Sequence, residues 1–537
     1  MPVGQQLLNA LYGSGLYRFT LKGRAPKSLR GVPPDPWAAP AEEGAAVLAG
    51  EFTLLGRPVL LGDSPWQASG LAPAAAAELH AFGWLGGLAR DGGEAARTRA
   101  RGLVAGWIAA CGRFRPLPWR ADVLGARLKN WLANFGLIAG GGEGHESAVL
   151  ESLAIQARHL TRVAARAERD ARQFAVIDGL VAGGVSLPGL EAGLYLGLDL
   201  LDDAIRRQVL PDGGHFQRNP TLQLKVLERL VGVRETLLAA HVEVPVALQG
   251  AIDRMAPMLR AFRHGDGRLA LFNGGNEEEA VAVERALERA GAGGRAVDSA
   301  PHTGFQRLNA GRTVAIVDAG AGLVSGADAN AHAGVLSFEM SVGRHRLVVN
   351  CGAHPDAASP WHQALRATAA HSTVAVDDTN AVETLIPGSS RRAPPTVTCR
   401  RSEENGSLFL QLSHDGYARS IGLAHNRDVY LSAKGDDMRG KDVLTGKGGR
   451  AFAARFHLHP EVQAQLAGDG ASVLLRLPSG AGWRFRATGG RIGLEESVYL
   501  GVLGRLRRAE QIVVSGGLAG AGSTVKWSFR HEGRKRA

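Results

Sequence analysis

The sequence predicts a multidomain chain of two structural classes, helical over residues 1–300 and antiparallel β over residues 301–537. Three observations carry that expectation. Residues 70 to about 265 repeat apolar positions at three- and four-residue spacing in runs rich in Ala, Leu and Arg, which are good helix formers. From about residue 305 the pattern shortens to alternation in brief runs separated by Gly, Asn or Asp. Between them, residues 291–304 mix Gly, Ala, Arg and Pro and read as a linker. A chain of 537 residues also exceeds what one compact core organises, which predicts two or three domains.

Taken in order, the first 70 residues are rich in Pro and Trp, show no clear period and are expected to wrap the helical domain. Helices are expected over 74–85, 123–132, 146–168, 190–209, 222–240 and 246–262. Joined by short Gly or Pro connections, they form antiparallel hairpins that close as a bundle or curve into a toroid; periodicity does not choose between the two. Trp84, Trp107, Trp119 and Trp131 fall on or beside these helices, where core packing is the default and sugar stacking the functional alternative. In the second half, runs at 312–318, 408–412, 428–432, 473–477 and 511–514 predict a dozen or so strands in two packed sheets.

Composition narrows the function. With 45% hydrophobic and 21% charged residues and no apolar run near the roughly 20 residues of a membrane span, a soluble protein is expected, with no integral membrane segment. Met1 to Gln6 lacks the charged and apolar regions of a secretory signal. Cys111, Cys351 and Cys399 are odd in number and widely spaced, which excludes a disulfide framework and a cysteine-paired zinc site. Cys351 reads as a small buried residue. A net charge of +11 and a pI near 9.9 favour an acidic partner, against the plainer reading of a solvated Arg-rich surface. No helix-turn-helix, zinc-finger or aromatic RNA-binding signature accompanies the charge, so nucleic acid is not expected; an acidic polysaccharide satisfies it equally well.

Two clusters carry candidate chemistry. The first lies in residues 331–372, where Ala331-His332-Ala333 precedes a strand-like run, Asn350 ends the second strand of a hairpin, and Ala369-Ala370-His371-Ser372 leads into another. One sheet face is expected to gather His332, Asn350 and His371. The second is Leu210-Pro211-Asp212-Gly213-Gly214-His215-Phe216-Gln217-Arg218-Asn219-Pro220. Asp-Gly-Gly turns the chain sharply, and Pro220 suits the first turn of a helix. A loop holding imidazole, guanidinium and amide suits a carboxylated substrate, because arginine grips a carboxylate through two parallel hydrogen bonds. The plainer reading makes Asn219 an N-cap and Arg218 the partner of a protein carboxylate. Elsewhere, His457 and His459 share a strand face, read as a metal pair or, more plainly, an exposed strand edge, and Tyr417 reads as sandwich packing or as a displaced phenol.

Together these clusters resemble the heparinase II/III family of polysaccharide lyases over most of the chain, through Asp212-Gly213-Gly214-His215 with Arg218 and Pro220, Ala331-His332-Ala333 before Leu336-Ser337-Phe338-Glu339, and Ala369 to Val374. The resemblance implies an N-terminal α/α toroid followed by a C-terminal antiparallel β-sandwich. It implies β-elimination at a uronic acid, which needs a cation or amide at the carboxylate, a base, and an acid for the leaving oxygen. It implies catalytic roles for His215, Arg218, Asn219 and His371, substrate contacts from Asn330 and Tyr417, and no required cofactor. A structural zinc would use His332, His371 and Asn350, the last an amide where aspartate is usual, which weakens a zinc site.

The departures are as specific as the matches. The family's acid–base tyrosine follows the proline of the Arg-x-Pro segment, where this chain has Thr221-Leu222-Gln223. The upstream helix reads Arg169-Asp170-Ala171-Arg172, and Asn330 stands where a catalytic histidine is common. The expected function is a lyase that cleaves an acidic, uronate-containing polysaccharide by β-elimination; the alternatives are a noncatalytic acidic-glycan-binding protein, and a toroid glycoside hydrolase for which Asp170 and Asp212 are the one available carboxylate pair. The family implies a periplasmic or envelope location, while the amino terminus leaves the cytoplasm open; oligomeric state is unassigned.

Overall fold

The computed structural model describes residues 3–37, 39, 41–321, 331–382, 394–518 and 522–533. They fall into two compact units, Met1–Gln208 with Val226–Ile252, and Val209–Lys225 with Asp253–Ala537. The loop carrying His215 and residues 253–300, which the sequence pattern groups with the helices, therefore belong to the β-rich unit.

In the first unit the expected helices form close to their predicted bounds, as Ala121–Ala133, Glu143–Val163 and Ala192–Gln208. The run expected over 74–85 instead stops at Pro73–Ala81, because Phe82 takes φ 61°, and a new helix starts at Leu85–Asp91. Glu94–Cys111 and Gln173–Ser186 are helices that the sequence reading left out. The first 70 residues are more regular than their composition predicts: Val3–Gly13, Gly15–Leu21 and Ala41–Leu48 are helices, and Glu51–Leu54 pairs with Arg57–Leu60 as a hairpin. Ala121–Ala133 and Gln173–Ser186 touch backbone to backbone. A Cβ at Gly179 would lie 2.5 Å from Gly125 Cα, so only hydrogen fits on either side of that crossing. The four predicted tryptophans are all core residues, with Trp107 and Trp131 edge to face at 5.4 Å. Arg127 is buried among them, its guanidinium 4.1 Å from the Trp107 ring and bonded to Gln156 Oε1 and to the carbonyls of His80 and Pro118.

The second unit is a sandwich of two antiparallel sheets. One runs, edge to edge, Arg491–Tyr499, Arg507–Gly517, Ala451–Leu458, His345–Val349, Phe338–Val342, Thr313–Asp318, Phe305–Ala310 and Ser299–Ala300, with Val374–Val376 also paired to Ala451–Leu458. The other runs Gln463–Leu466, Ser472–Arg476, Gly482–Thr488, Ser523–Glu532, Asp437–Gly446, Leu423–Leu431, Ser407–His414 and Val397–Glu404. Alternation along these strands sends Leu410, Val429, Phe485 and Phe529 of one sheet and Leu308, Met340, Phe456 and Val514 of the other into one shared core. A buried ion pair also stands in that core: Arg427 binds Asp442 through two nitrogens at 2.6 and 3.0 Å and donates to the carbonyls of Leu336 and Ser372. It thereby fixes the backbone next to His371. Among the described residues no helix is long and apolar enough to cross a membrane.

Candidate functional site

The turn at Asp212-Gly213 sets the first cluster. Gly213 has φ 84°, and a Cβ there would meet Arg254 O at 2.0 Å, so the tight turn requires glycine. Asp212 accepts from the backbone N–H groups of Gly214, His302 and Thr303 and from the Thr303 hydroxyl. That saturation ties the loop to the 301–304 turn and leaves Asp212 no lone pair for the acid or base of a hydrolase. Asp170, the other half of the suggested pair, is clasped by Arg172 at 2.8 Å. His215 is buried, and its backbone N–H donates to Gln223 Oε1 at 2.7 Å.

The Arg218 guanidinium is engaged by groups of the protein itself. The residue sits at φ 58°, donates through Nε to Thr303 O at 2.7 Å and through a terminal nitrogen to Gly304 O, stands over the Phe305 ring, and forms an ion pair with buried Asp318. Asn219 is the N-cap of Pro220–Ala239: its Oδ1 accepts from Leu222 N at 3.0 Å, and its Nδ2 donates to Asn273 O at 2.9 Å. Both residues are engaged as the plainer of the two readings has them. Thr221, where the family's tyrosine is expected, spends its hydroxyl on the backbone of Asn276.

The second cluster does assemble. His332 Nδ1 lies 3.1 Å from His371 Nε2, and His371 Nδ1 lies 2.8 Å from Ala367 O. A carbonyl only accepts, so His371 carries its proton on Nδ1, receives one from His332 Nδ1–H, and leaves Nε2 of His332 as the lone-pair atom. Burial, and then the neighbouring His371, hold His332 well below the ordinary histidine range; burial lowers His371 to about 4. Gly334 permits the approach, since a Cβ there would lie 2.6 Å from His371 Cδ2. Asn350 stands close by, but both ends of its amide face backbone, Nδ2 donating to Leu271 O and Oδ1 accepting from Ser372 N. This donor set does not fit a structural zinc: the two imidazoles bond each other, the amide is committed, and no group of three His, Cys, Asp or Glu converges among the described residues.

His332 lines a pocket of ≈ 230 Å³ with Asn219, Thr221, Asn276, His354 and His362. His362 Nδ1 lies 2.9 Å from the carbonyl of His354, to which it donates. His354, His362 and Asn276 were missed in the sequence because no strand or loop pattern distinguishes them from surface polar residues. Asn273, at φ 49°, was missed too; its side chain bridges Arg218 O and His332 N and so links the two clusters.

The remaining expectations fall away from this pocket. Tyr417 is wholly buried in the sandwich core, donates to Val374 O at 2.8 Å and has its phenol pushed up by burial, as the packing reading expects. Asn330 lies outside the described residues. His457 and His459 are both buried: His457 lies on the interior strand Ala451–Leu458 and bonds Ser497 Oγ and Ala369 O, and His459 follows the end of that strand, its backbone N–H donating to Leu347 O. Cys351 is buried as expected, and burial raises its thiol to about 12.

A further feature lies on the outer face of the eight-stranded sheet, over a groove of ≈ 720 Å³. Register places Arg486, Ser528, Arg439, Tyr430 and Phe409 side by side on five neighbouring strands, and Thr488, Lys526, Lys441 and Asp428 in the adjoining row. Arg484 and Arg530 face each other in a third. Asp428 pairs with Lys441, Glu532 with Arg484, and Asp437 with both Arg439 and Arg530, which leaves Arg486 and Lys526 without an ion pair among the described residues. The Arg439 guanidinium stands over the Tyr430 ring at 5.9 Å. The result is a net cationic face with aromatic rings at one side, a pairing suited to an anionic chain that has flat apolar surfaces.

Comparison with known proteins agrees with the fold. Residues 292–528 match the model of the heparinase II/III-like C-terminal domain. The "FtsZ-localized protein C" of Caulobacter vibrioides is 32% identical, over 96% of this chain and 93% of that protein. A crystal structure of heparinase III superposes with a TM-score of 0.74 at 13% identity, covering 97% of this chain and 89% of the other. A heparan sulfate lyase from Pedobacter heparinus gives 0.65 at 17% identity, covering 99% and 89%. The helical toroid followed by an antiparallel β-sandwich, expected from the motifs, is the fold these structures share with this chain.

Proposed function

The chain belongs to the heparinase II/III family, and from that premise we propose that it is a noncatalytic acidic-glycan-binding protein that works where FtsZ localises it. The observation that carries this reading is the cationic, aromatic-edged face of the eight-stranded sheet. Three absences of chemistry support it. Arg218, the expected carboxylate clamp, is spent on Asp318. The hydroxyl at the tyrosine position belongs to Thr221 and is bonded to backbone. His332 is buried with its basicity depressed, so taking a proton from carbon is unfavourable for it. The localisation extends to this chain what the name of its Caulobacter relative says of that protein.

A second reading, elimination of a uronate polysaccharide, is favoured by one observation: the hydrogen-bonded order from Ala367 through His371 leaves a lone pair on Nε2 of His332, a residue that lines the pocket. One experiment separates the two. The purified protein is incubated with heparan sulfate, chondroitin, hyaluronan and alginate while binding and the ultraviolet absorbance of unsaturated uronide are followed together. Binding without absorbance supports the first reading. Absorbance that His332→Ala abolishes replaces it with the second, and neither signal sinks both.

A further inference from the structure

Strand Val397–Glu404 ends the eight-stranded sheet: it pairs with Ser407–His414 on one side and, among the described residues, with no strand on the other. Apart from Val397 and Arg401 its residues are exposed. Arg401 pins it in place, donating to the carbonyls of Asp298 and Arg307 at 3.1 and 2.9 Å. An open edge of this kind offers a row of backbone donors and acceptors to another strand.

The hairpin decides which groups those are. Asn405 and Gly406, at φ 51° and 75°, make a two-residue turn, so Glu404 and Ser407 exchange both backbone hydrogen bonds. Alternation then commits the N–H and C=O of Ser402 and Arg400 to the same neighbouring strand and turns those of Cys399, Arg401 and Glu403 outward. Side chains alternate as well. Arg400 stands opposite Gln411, Ser402 opposite Phe409 and Glu404 opposite Ser407, so all three lie on the outer face, away from the core that Leu408, Leu410 and Leu412 enter.

Charge identifies what fits this edge. Like charges along an edge strand repel a second copy of it, but the order Arg400-Arg401-Ser402-Glu403-Glu404 changes sign about its middle. Turned antiparallel about Ser402, a second copy sets each Arg400 across from the partner's Glu404 and each Arg401 across from the partner's Glu403. Arg400, Glu403 and Glu404 have no ion pair among the described residues. Arg401 and Glu403 are also residues whose backbone groups face outward, so charge and hydrogen bonding ask for the same register. A shift that sets Arg401 against the partner's Arg401 keeps the hydrogen bonds and faces like charges.

The geometry points to a symmetric dimer of this chain, in which the strands Val397–Glu404 pair antiparallel about Ser402 and join two eight-stranded sheets into one. The symmetry axis stands perpendicular to the sheet, so both outer faces lie on the same side. The cross-strand row of Arg486, Ser528, Arg439, Tyr430 and Phe409 ends at Ser402 and runs on through the partner's Ser402. Dimerisation thereby doubles the cationic face, a consequence that rests on the glycan reading above; the pairing itself does not.

Sedimentation equilibrium of the full-length protein from about 1 to 100 µM is expected to show monomer and dimer in exchange, as for a small interface. E404R or R400E sets like charges at both Arg400–Glu404 contacts and weakens the dimer at least about tenfold, while R400E/E404R exchanges the charges and restores it to within about a factor of two. All three alter exposed side chains, and thermal unfolding at the wild-type temperature establishes that they are folded. In a C399S background, S402C closes a disulfide between the two copies on oxidation, because opposed residues of a non-hydrogen-bonded pair lie about 4.5 Å apart at Cα. A monomer over the whole range overturns the proposal. So does a dimer that E404R leaves unchanged, or one that R400E/E404R fails to restore. No arm reads glycan binding, so failure of the dimer and failure of the glycan reading are seen separately.

Discussion

His332 Nδ1 stands 3.1 Å from His371 Nε2, and the carbonyl of Ala367 behind His371 sets the direction of that bond. The pair is expected to stay neutral in mildly acidic solution. Both folded-state values lie below the ordinary 6.5, His371 at about 4 and His332 well below it, with burial the leading cause in each. Imidazole NMR should therefore show both rings neutral, each with its proton on Nδ1, from pH 8 to pH 5. A midpoint for either ring near the ordinary value would dismiss the assigned bond order.

Arg218→Ala is expected to act on folding. It leaves Asp318 buried without its cation, a loss of about 3–5 kcal/mol, and burial then pushes that carboxyl further toward its neutral form. Chemical denaturation should show the loss, whereas R218M/D318L, which removes both charges, should recover most of it. An unchanged unfolding midpoint for Arg218→Ala, with weakened glycan binding, would return Arg218 to the role of carboxylate clamp.

Much of the architecture was legible because it rests on local pattern. The period of 190–209 and 246–262 identified their helices to within about two residues, and the alternation in 408–412 and 428–432 identified strands. What stayed hidden depends on distant partners. Arg218 has the residue type of a substrate clamp, and only the fold reveals Asp318, 100 positions on, as its partner. His457 and His459 alternate as an edge strand would, yet the strand of His457 is covered on both sides by others and His459 lies past its end. The basic face was invisible for the same reason: Arg486, Ser528 and Arg439 become neighbours only through a strand order that departs from chain order.

That row and the adjoining one that carries Lys526 make a quantitative expectation for the glycan reading. R486E/K526E removes two exposed cations that no carboxylate engages among the described residues, so the sheet itself should be unaffected. Heparin affinity is expected to fall at least about tenfold, and the dependence of log affinity on log salt to become shallower by roughly two contacts, as for any polyanion that releases counterions. Tyr430→Ala should weaken binding less and leave the salt dependence unchanged, because a stacking surface carries no charge. Calorimetry across a salt series checks all three; equal slopes for R486E/K526E and wild type would remove the sheet face from the binding site.

Acid should loosen the helical unit. His159 and His80 are both lowered to about 4, chiefly by burial, and each Nδ1 has a close hydrogen-bond partner, the Tyr17 hydroxyl at 2.7 Å and the Trp107 indole N–H at 3.1 Å. The indole N–H can only donate, so protonating His80 Nδ1 breaks that contact. In the unfolded chain both rings titrate near 6.5, so the unfolded state takes up protons first as pH falls. The stability they contribute is therefore complete above about pH 6.5 and is lost progressively down to about pH 4. For His159 the loss is about 2 kcal/mol by pH 5. Thermal unfolding should show a falling midpoint between pH 7 and pH 5 that His159→Gln makes shallower, since an amide cannot be protonated there. A midpoint that is flat over this range, or an equally steep fall in His159→Gln, would show that this histidine is not the proton acceptor.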